Sequence, residues 1–417
     1  MVSRDLTKFI TLGLIFLYAS SVVNSETINL AGSGVKLGVD CLEDEGFALL
    51  SGKKIGLITN QSGVSSEGLK TRIVLAKSNK VDLVALYTPE HGLDGDELAG
   101  KWVSSRTDSV TGLTAYSLYG KSRKPTSAML KGIDALVFDI QDVGSRCYTY
   151  ISTMGLCMEA AADLDIEFIV LDRPNPVGGI QVSGPPIERK WMSFVGQYPI
   201  PFRHGMTVGE IARMAVGERW LKSSPKLKVV KMKGWRRDMD WRDTKLRWVK
   251  TSPNIPRSES CHYYLATCIA QHVPGIYAGT GTPRPFQFVS ARGIDHQKLC
   301  SKLNGYNLRG IRFHPYLDKD ISKGSGVSLD LSLDQEPDLM LISMVMLKEF
   351  YLERKKSGSD LFVGAGNSGL NLLYKVYGSD DLLSDLRSPS GAKKVVRQWE
   401  VANKRFKKLR AKYLLYD

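Results

Sequence analysis

Neither a Cys-x-x-Cys pair nor a His-Glu-x-x-His motif occurs in this sequence, and its six histidines (His91, His204, His262, His272, His296 and His314) form no cluster with cysteine. A zinc site of ordinary spacing is therefore not expected, nor any other metal. The first strand-like run is not followed by Gly-x-Gly-x-x-Gly, which leaves a dinucleotide site unsupported. Gly95 to Lys101 begins like a phosphate-binding loop, but Trp102 stands where a metal-binding Ser or Thr is required. The Gly-x-Ser-x-Gly elbow of serine esterases is missing too. No resident cofactor is expected.

The 417 residues are 43% hydrophobic and 24% charged, a globular composition, and the length favours two domains. Arg4 and Lys8 precede an apolar run from Phe9 to Val23, with small residues up to Ser25. Because that run is shorter than the ~20 residues of a spanning helix, it predicts an export signal cleaved near Ser25. The expected product is secreted or lumenal, with no membrane span in the mature chain. All six cysteines (Cys41, Cys147, Cys157, Cys261, Cys268 and Cys300) follow the signal, in a setting that permits disulfides, and their spacing assigns no pairing.

A formal charge of +14 invites a nucleic-acid reading. The charge is local, however: residues 26–218 hold 19 basic and 23 acidic residues, 219–250 hold 12 and 3, and 390–417 hold 9 and 2. In the last segment Val395, Trp399, Ala402, Phe406, Leu409 and Tyr413 recur at helical spacing, one buried stripe whose lysines form a solvated outer face. Trp235, Trp241 and Trp248 interleave with basic residues in the other segment, a pattern that fits packing better than base stacking. No nucleic-acid partner is expected.

Four short apolar runs punctuate the N-terminal half: Lys54 to Thr59, Val81 to Tyr87, Ala135 to Ile140 and Phe168 to Leu171. Each is followed by polar residues, as in strands buried on both faces of a parallel sheet, and the fold class is α/β. Ile151, Met154, Met158 and Ala161 share one helical face, and Thr207 with Glu210 form a capping-box signature for another helix. In such sheets ligands bind beyond the carboxyl ends of the strands, where Asn60, Glu90, His91, Asp139, Asp142, Asp172, Arg173 and Asn175 fall. Asn60-Gln61-Ser62 is also a glycosylation sequon, expected to stay unmodified beside the cleft.

Glycoside hydrolysis needs an acid for the leaving oxygen and a second group as nucleophile, base or orienter. Glu90, following an apolar strand, is the first choice for the acid, with His91 orienting it or binding substrate. Asp139 and Asp142 are three apart and face opposite sides of a regular strand, so at most one points at the substrate. Arg146 and Tyr148 follow directly, and a guanidinium matches a substrate carboxylate bidentately. Two prolines stiffen the Asp172-Arg173-Pro174-Asn175-Pro176 loop. Arg203 and His204 precede the capped helix, whose free N–H groups favour an anionic ligand group.

The segments ITNQSG (58–63), TPEHGLDGD (88–96), YSLYG (116–120), RKPTSAML (123–130), FDIQDVGSRCYTYISTM (138–154), LDRPNPVGG (171–179), GQYPIPFRHGM (196–206), SPNIP (252–256) and GTGTPRPFQ (279–287) together resemble the bacterial exo-β-N-acetylmuramidase family of the NamZ type. The resemblance covers nearly the whole mature chain. It implies a Rossmann-like N-terminal domain (26–222), a smaller C-terminal α+β domain (223–417), and removal of terminal N-acetylmuramic acid from the non-reducing end of peptidoglycan fragments. By its motifs the Glu-His pair falls on Glu90 and His91, with Asp142 in the segment from Gln141 to Tyr150, and the substrate's lactyl carboxylate accounts for Arg146, Arg173 and Arg203. Departures at Ala278, Thr280 and Gln287 keep open the alternative of a catalytically weakened muropeptide or amino-sugar binding protein.

Overall fold

Seven strands build the larger sheet: β1 (Lys54–Thr59), β2 (Asp82–Thr88), β3 (Arg106–Thr107), β4 (Thr114–Ser117), β5 (Ala135–Asp139), β6 (Glu167–Leu171) and β7 (Leu227–Val230). Their spatial order is β3-β4-β2-β1-β5-β6-β7, parallel throughout except for the two-residue β3. The computed structural model describes residues 34–417 apart from 357, 359–361, 363–365 and 390. The expected export signal lies outside the described residues.

Alternation along the central strands shows why their sequences are apolar without interruption. Ile58, Leu136 and Phe138 enter one core together with Ile151, Met154 and Ile211, while Leu57, Val137 and Ile169 enter a second core with Leu42 and Leu75. Both faces of the sheet are thus covered: α3 (Tyr150–Ala162) and α4 (Val208–Gly217) lie on the first, α1 (Gly38–Asp44) and α2 (Thr71–Lys77) on the second. The capping box of α4 is complete, with Glu210 N–H donating to Thr207 Oγ1 at 3.2 Å and Thr207 N–H to Glu210 Oε2 at 3.0 Å.

The remaining strands, β8 (Ile276–Tyr277), β9 (Phe288–Ala291), β10 (Ile311–Leu317) and β11 (Ser325–Leu331), form an antiparallel sheet in the order β10-β11-β9-β8. Helices α5 (Ser260–Gln271), α6 (His296–Gly305) and α7 (Leu339–Lys356) accompany it, followed by α8 (Asn367–Tyr377), α9 (Leu382–Arg387) and α10 (Gly391–Arg410). Val395, Trp399 and Phe406 form the buried stripe of α10, which packs on α7. The first core runs without a break into this half through Leu265, Val289 and Phe350, so residues 34–417 make one unit.

The boundary expected at residue 222 cuts the larger sheet, because β7 pairs with β6 beyond it. Charge hid this strand: Lys228 faces outward and pairs with Glu167 at 2.6 Å. The neighbouring tryptophans are packing groups, Trp235 edge-on to Tyr416 at 5.1 Å and Trp241 edge-on to Trp248 at 4.8 Å. All six cysteines are buried free thiols, two of them, Cys147 and Cys268, with sulfurs 3.6 Å apart. No helix among the described residues is long and apolar enough to cross a membrane.

Candidate active site

Strand order reverses at β1, which has β2 on one side and β5 on the other, and this opens a crevice beyond their carboxyl ends. β2 stops at Thr88, and the chain turns through Pro89 to Gly92, with Gly92 N–H donating to Pro89 O at 3.1 Å. The turn needs positive φ at both His91 (71°) and Gly92 (77°), and for histidine that backbone is strained. Its effect is to bury Glu90 at 8% exposure. Glu90 Oε1 accepts Gly100 N–H at 2.8 Å and Oε2 accepts the Thr149 hydroxyl at 2.7 Å, just ahead of α3. His91 Nδ1 donates to Glu97 O at 2.7 Å, which places a proton on Nδ1. The ring lines a cavity of about 250 Å³ with Trp102 and Arg106.

Asp142 sits in a different environment. Its Oδ1 accepts Gly144 N–H at 2.8 Å, while Oδ2 is buried without a partner. Burial pushes its carboxyl up to about 7, against the pull of the Gly144 and Val143 N–H groups. The Tyr148–Tyr150 pair, edge-to-face at 4.8 Å, lies within the influence of both Glu90 and Asp142. Tyr148 donates to Thr251 Oγ1 at 2.9 Å and Tyr150 to Thr251 O at 2.5 Å. Burial first, then Tyr148, then the charges of Glu90 and Asp142 hold the Tyr150 phenol well above its ordinary pKa.

Because the folded-state pKa of Asp142 lies above the unfolded value, the folded chain is the more protonated form between about pH 4 and pH 7. Stability therefore falls as pH rises through that window, by an amount on the order of 3–4 kcal/mol for this group. We expect Asp142→Asn to raise the urea midpoint at pH 8 and to flatten this pH dependence, since the amide keeps the Gly144 bond without the charge. An unchanged midpoint at pH 8 would remove the buried charge from the account.

Several residues expected in the site instead hold it together. Asp139 is fully buried, paired with Arg173 (Nε to Oδ1 2.6 Å, Nη2 to Oδ2 2.9 Å) and accepting the Thr71 hydroxyl. Arg173 Nη2 also donates to Val64 O at 2.6 Å. Asp172 accepts Thr207 and Tyr416 hydroxyls, each at 2.7 Å, and the N–H groups of Arg173 and Gly209. Gly209 is required there, because a Cβ would lie 2.6 Å from Val229 and 2.8 Å from Asp172 Cγ. Asn175 bridges Val177 N–H and Met206 O.

The basic residues expected to read a carboxylate are also engaged. Arg146 is fully buried and donates to the carbonyls of Pro185, Ile200, Val376 and Tyr377 at 2.7–3.0 Å. Burial lowers its pKa to about 10, so it remains cationic. Arg203 donates to Gln181 and to Val177 O. His204 accepts Met206 N–H through Nδ1 at 3.1 Å, and burial, then Arg410, Arg146 and Arg203, lower its pKa to about 3. The ring is therefore neutral, with its proton on Nε2.

Buried polar atoms without partners gather at the ends of the three central strands: Asn60 Nδ2 and Gln61 Oε1 after β1, Thr88 Oγ1 at the end of β2, and Gln141 Oε1 and Asp142 Oδ2 after β5. Such atoms are costly unless something binds them. Gln61 and Gln141 each spend both amide hydrogens on carbonyls, which fixes their oxygens as free acceptors. Both line a cavity of about 420 Å³ with Ser62, Arg173, Trp241 and Trp248. Asn60 is 1% exposed, and its Oδ1 accepts the Ser62 hydroxyl at 2.6 Å. Among the described residues no group of three or more His, Cys, Asp or Glu side chains is arranged to hold a metal ion.

One further strand supplies residues that sequence reasoning left without a role. β4 runs parallel to β2, and its carboxyl end carries Tyr119 and then Arg123 to the same rim. Burial, then Glu90, pushes the Tyr119 phenol up to about 12, while Arg123 pulls it down. Arg123 lies 4.2 Å from the centroid of Phe194 and 5.2 Å from that of Tyr119. The signal was the polar stretch after Thr114–Ser117, but only two of these four strand residues are buried, so no apolar run marked it.

Comparison with known proteins agrees with this geometry. Residues 55–259 match the model of the N-terminal part of the exo-β-N-acetylmuramidase NamZ, and residues 262–416 match that of its C-terminal part. The peptidoglycan β-N-acetylmuramidase NamZ of Bacillus subtilis (strain 168) is 38% identical over 406 residues, 95% of each chain. A crystal structure of a DUF1343 family protein from Bacteroides fragilis superposes with a TM-score of 0.85 at 40% identity, covering 93% of this chain and 100% of that one. A second DUF1343 structure from the same organism gives 0.72 at 27% identity, covering 92% of this chain and 99% of that one. With both halves matched in order and over nearly their full length, the chain belongs to the NamZ family of exo-β-N-acetylmuramidases, which are glycosidases.

Proposed function

We propose that this glycosidase removes terminal N-acetylmuramic acid from the non-reducing end of peptidoglycan fragments, and that it works after export from the cell. The observation that carries the chemistry is the contrast between two carboxyls at the ends of the strands that flank β1. Glu90 is held through both oxygens by Gly100 and Thr149, whereas Asp142 keeps Oδ2 free. Glu90 gives its proton to the glycosidic oxygen as the bond from C1 breaks. Asp142, once ionised, accepts the substrate's acetamido N–H at Oδ2 and steers the acetamido oxygen toward C1. His91 lines the adjoining cavity and binds substrate there. The family membership and the free Oδ2 favour this reading over that of a weakened amino-sugar binder.

The test is hydrolysis of 4-nitrophenyl N-acetyl-β-muraminide. With Asp142 acting as an ionised group, kcat falls as pH drops below about 7, and Asp142→Asn removes most of the activity and flattens the acid limb in what remains. Binding of N-acetylmuramic acid without turnover in the wild type would favour the binder. Export is tested by N-terminal sequencing of protein recovered outside an expressing cell, which should begin near Glu26. A mature chain that still begins at Met1 would contradict it.

A further inference from the structure

We infer that Arg123, packed against Tyr119 and Phe194, is the residue that reads the lactyl carboxylate of the substrate; this rests on the muramidase reading above. The inference begins from a mismatch. A sugar acid needs a cationic partner in the cleft, yet Arg146 and Arg203 are buried with both terminal nitrogens bonded to carbonyls or to Gln181, and the charge of Arg173 is met by Asp139. Turning Arg146 or Arg203 toward a ligand would leave buried partners unpaired, and Arg173 would have to share its charge with Asp139.

Arg123 differs in each respect. Its side chain is solvent-exposed, and no carboxylate among the described residues forms an ion pair with it, while its neighbour Lys124 is occupied by Asp163 at 2.7 Å. Two rings hold the guanidinium: its carbon is 4.2 Å from the Phe194 centroid and 5.2 Å from the Tyr119 centroid, the rings are 6.0 Å apart, and the Tyr119 hydroxyl also takes a hydrogen bond from it. Contacts of this kind hold the planar group while its other N–H groups remain for a planar anion. The location is right as well, since Tyr119 lies next to both Arg123 and Glu90. A carboxylate branching from the sugar bound at Glu90 would meet Arg123 within one residue of the acid. Arg123 is thus a specificity-determining group, and Phe194 and Tyr119 are its positioning residues.

The experiment compares three chromogenic substrates: N-acetyl-β-muraminide, its lactyl methyl ester, and N-acetyl-β-glucosaminide. In the wild type the free acid should be strongly preferred. Arg123→Ala should raise KM for the free acid roughly 10- to 100-fold, with kcat nearly kept, and leave the ester and glucosaminide unchanged. Arg123→Lys, which keeps charge but not the planar fork, should fall between them. An equal loss on acid and ester in Arg123→Ala would overturn the inference. If the wild type hydrolyses none of the three, the muramidase reading fails by itself. Calorimetric binding of free N-acetylmuramic acid then still decides the residue: affinity reduced in Arg123→Ala supports it, and unchanged affinity overturns it.

Discussion

Glu90→Gln is expected to lower kcat on the chromogenic muraminide by about 10²–10⁴-fold, the range general acid catalysis supplies. KM should change little, because the amide retains the size of the side chain and one of its two acceptor bonds. The second oxygen becomes an NH₂ facing either Gly100 N–H or the Thr149 hydroxyl, so one hydrogen bond is lost or reversed, at about 1 kcal/mol. The variant should therefore fold, and its circular dichroism and urea midpoint should lie near those of the wild type. The combination is what identifies a reacting group: turnover lost, substrate binding kept, fold kept. Full activity in Glu90→Gln would remove Glu90 from proton transfer and shift attention to Asp142.

The largest effect on stability is expected from Arg146→Ala. Four carbonyls on three separate segments, Pro185, Ile200 and Val376–Tyr377, share this one guanidinium. The last two belong to α8, so the side chain ties the larger sheet's surroundings to the C-terminal helices. Truncation leaves those carbonyls buried without donors and opens a cavity the size of the side chain, together on the order of 4 kcal/mol or more. That is a large share of the ~5–15 kcal/mol by which a typical fold is stable, so soluble yield should drop with the urea midpoint. A ligand-reading role for Arg146 predicts the opposite pattern, with normal stability and a raised KM. Arg146→Lys, which keeps charge and three donors, should recover part of the stability.

What the sequence made legible follows from the physics of each element. Strands buried on both faces appear as unbroken apolar runs, and all four expected runs are central strands β1, β2, β5 and β6. The capping box of Thr207 and Glu210 is a local pattern and is present with both bonds. In the larger sheet, the strands that escaped notice are outer ones. β4 is short with half-exposed residues, and β7 is four residues long with Lys228 inside it and only Val230 buried, so neither carries the run of hydrophobicity that reveals a buried strand.

The same division runs through the site. Position beyond a strand end was enough to collect Glu90, Asp142, Asp139, Asp172 and Arg173 in one region, because parallel topology makes those ends converge. Which of them reacts was not legible, since that depends on partners far along the chain. Asp139 is neutralised by Arg173, 34 residues away, and Asp172 is held by Tyr416, 244 residues away. Asp142 is distinguished by a bond that is missing, which no sequence pattern can display. Arg146 and Arg123 reverse the expected order for a similar reason. The arginine inside the most distinctive motif is a staple, and the one after an inconspicuous strand is exposed beside Tyr119 and Phe194.

Cleavage polarity tests the central claim most directly. Incubated with two disaccharides, one with N-acetylmuramic acid at the non-reducing end and one with N-acetylglucosamine there, the wild-type protein should release free N-acetylmuramic acid from the first and leave the second intact, as read by mass spectrometry. Cleavage of the second disaccharide, or of neither while free N-acetylmuramic acid binds, would contradict the account.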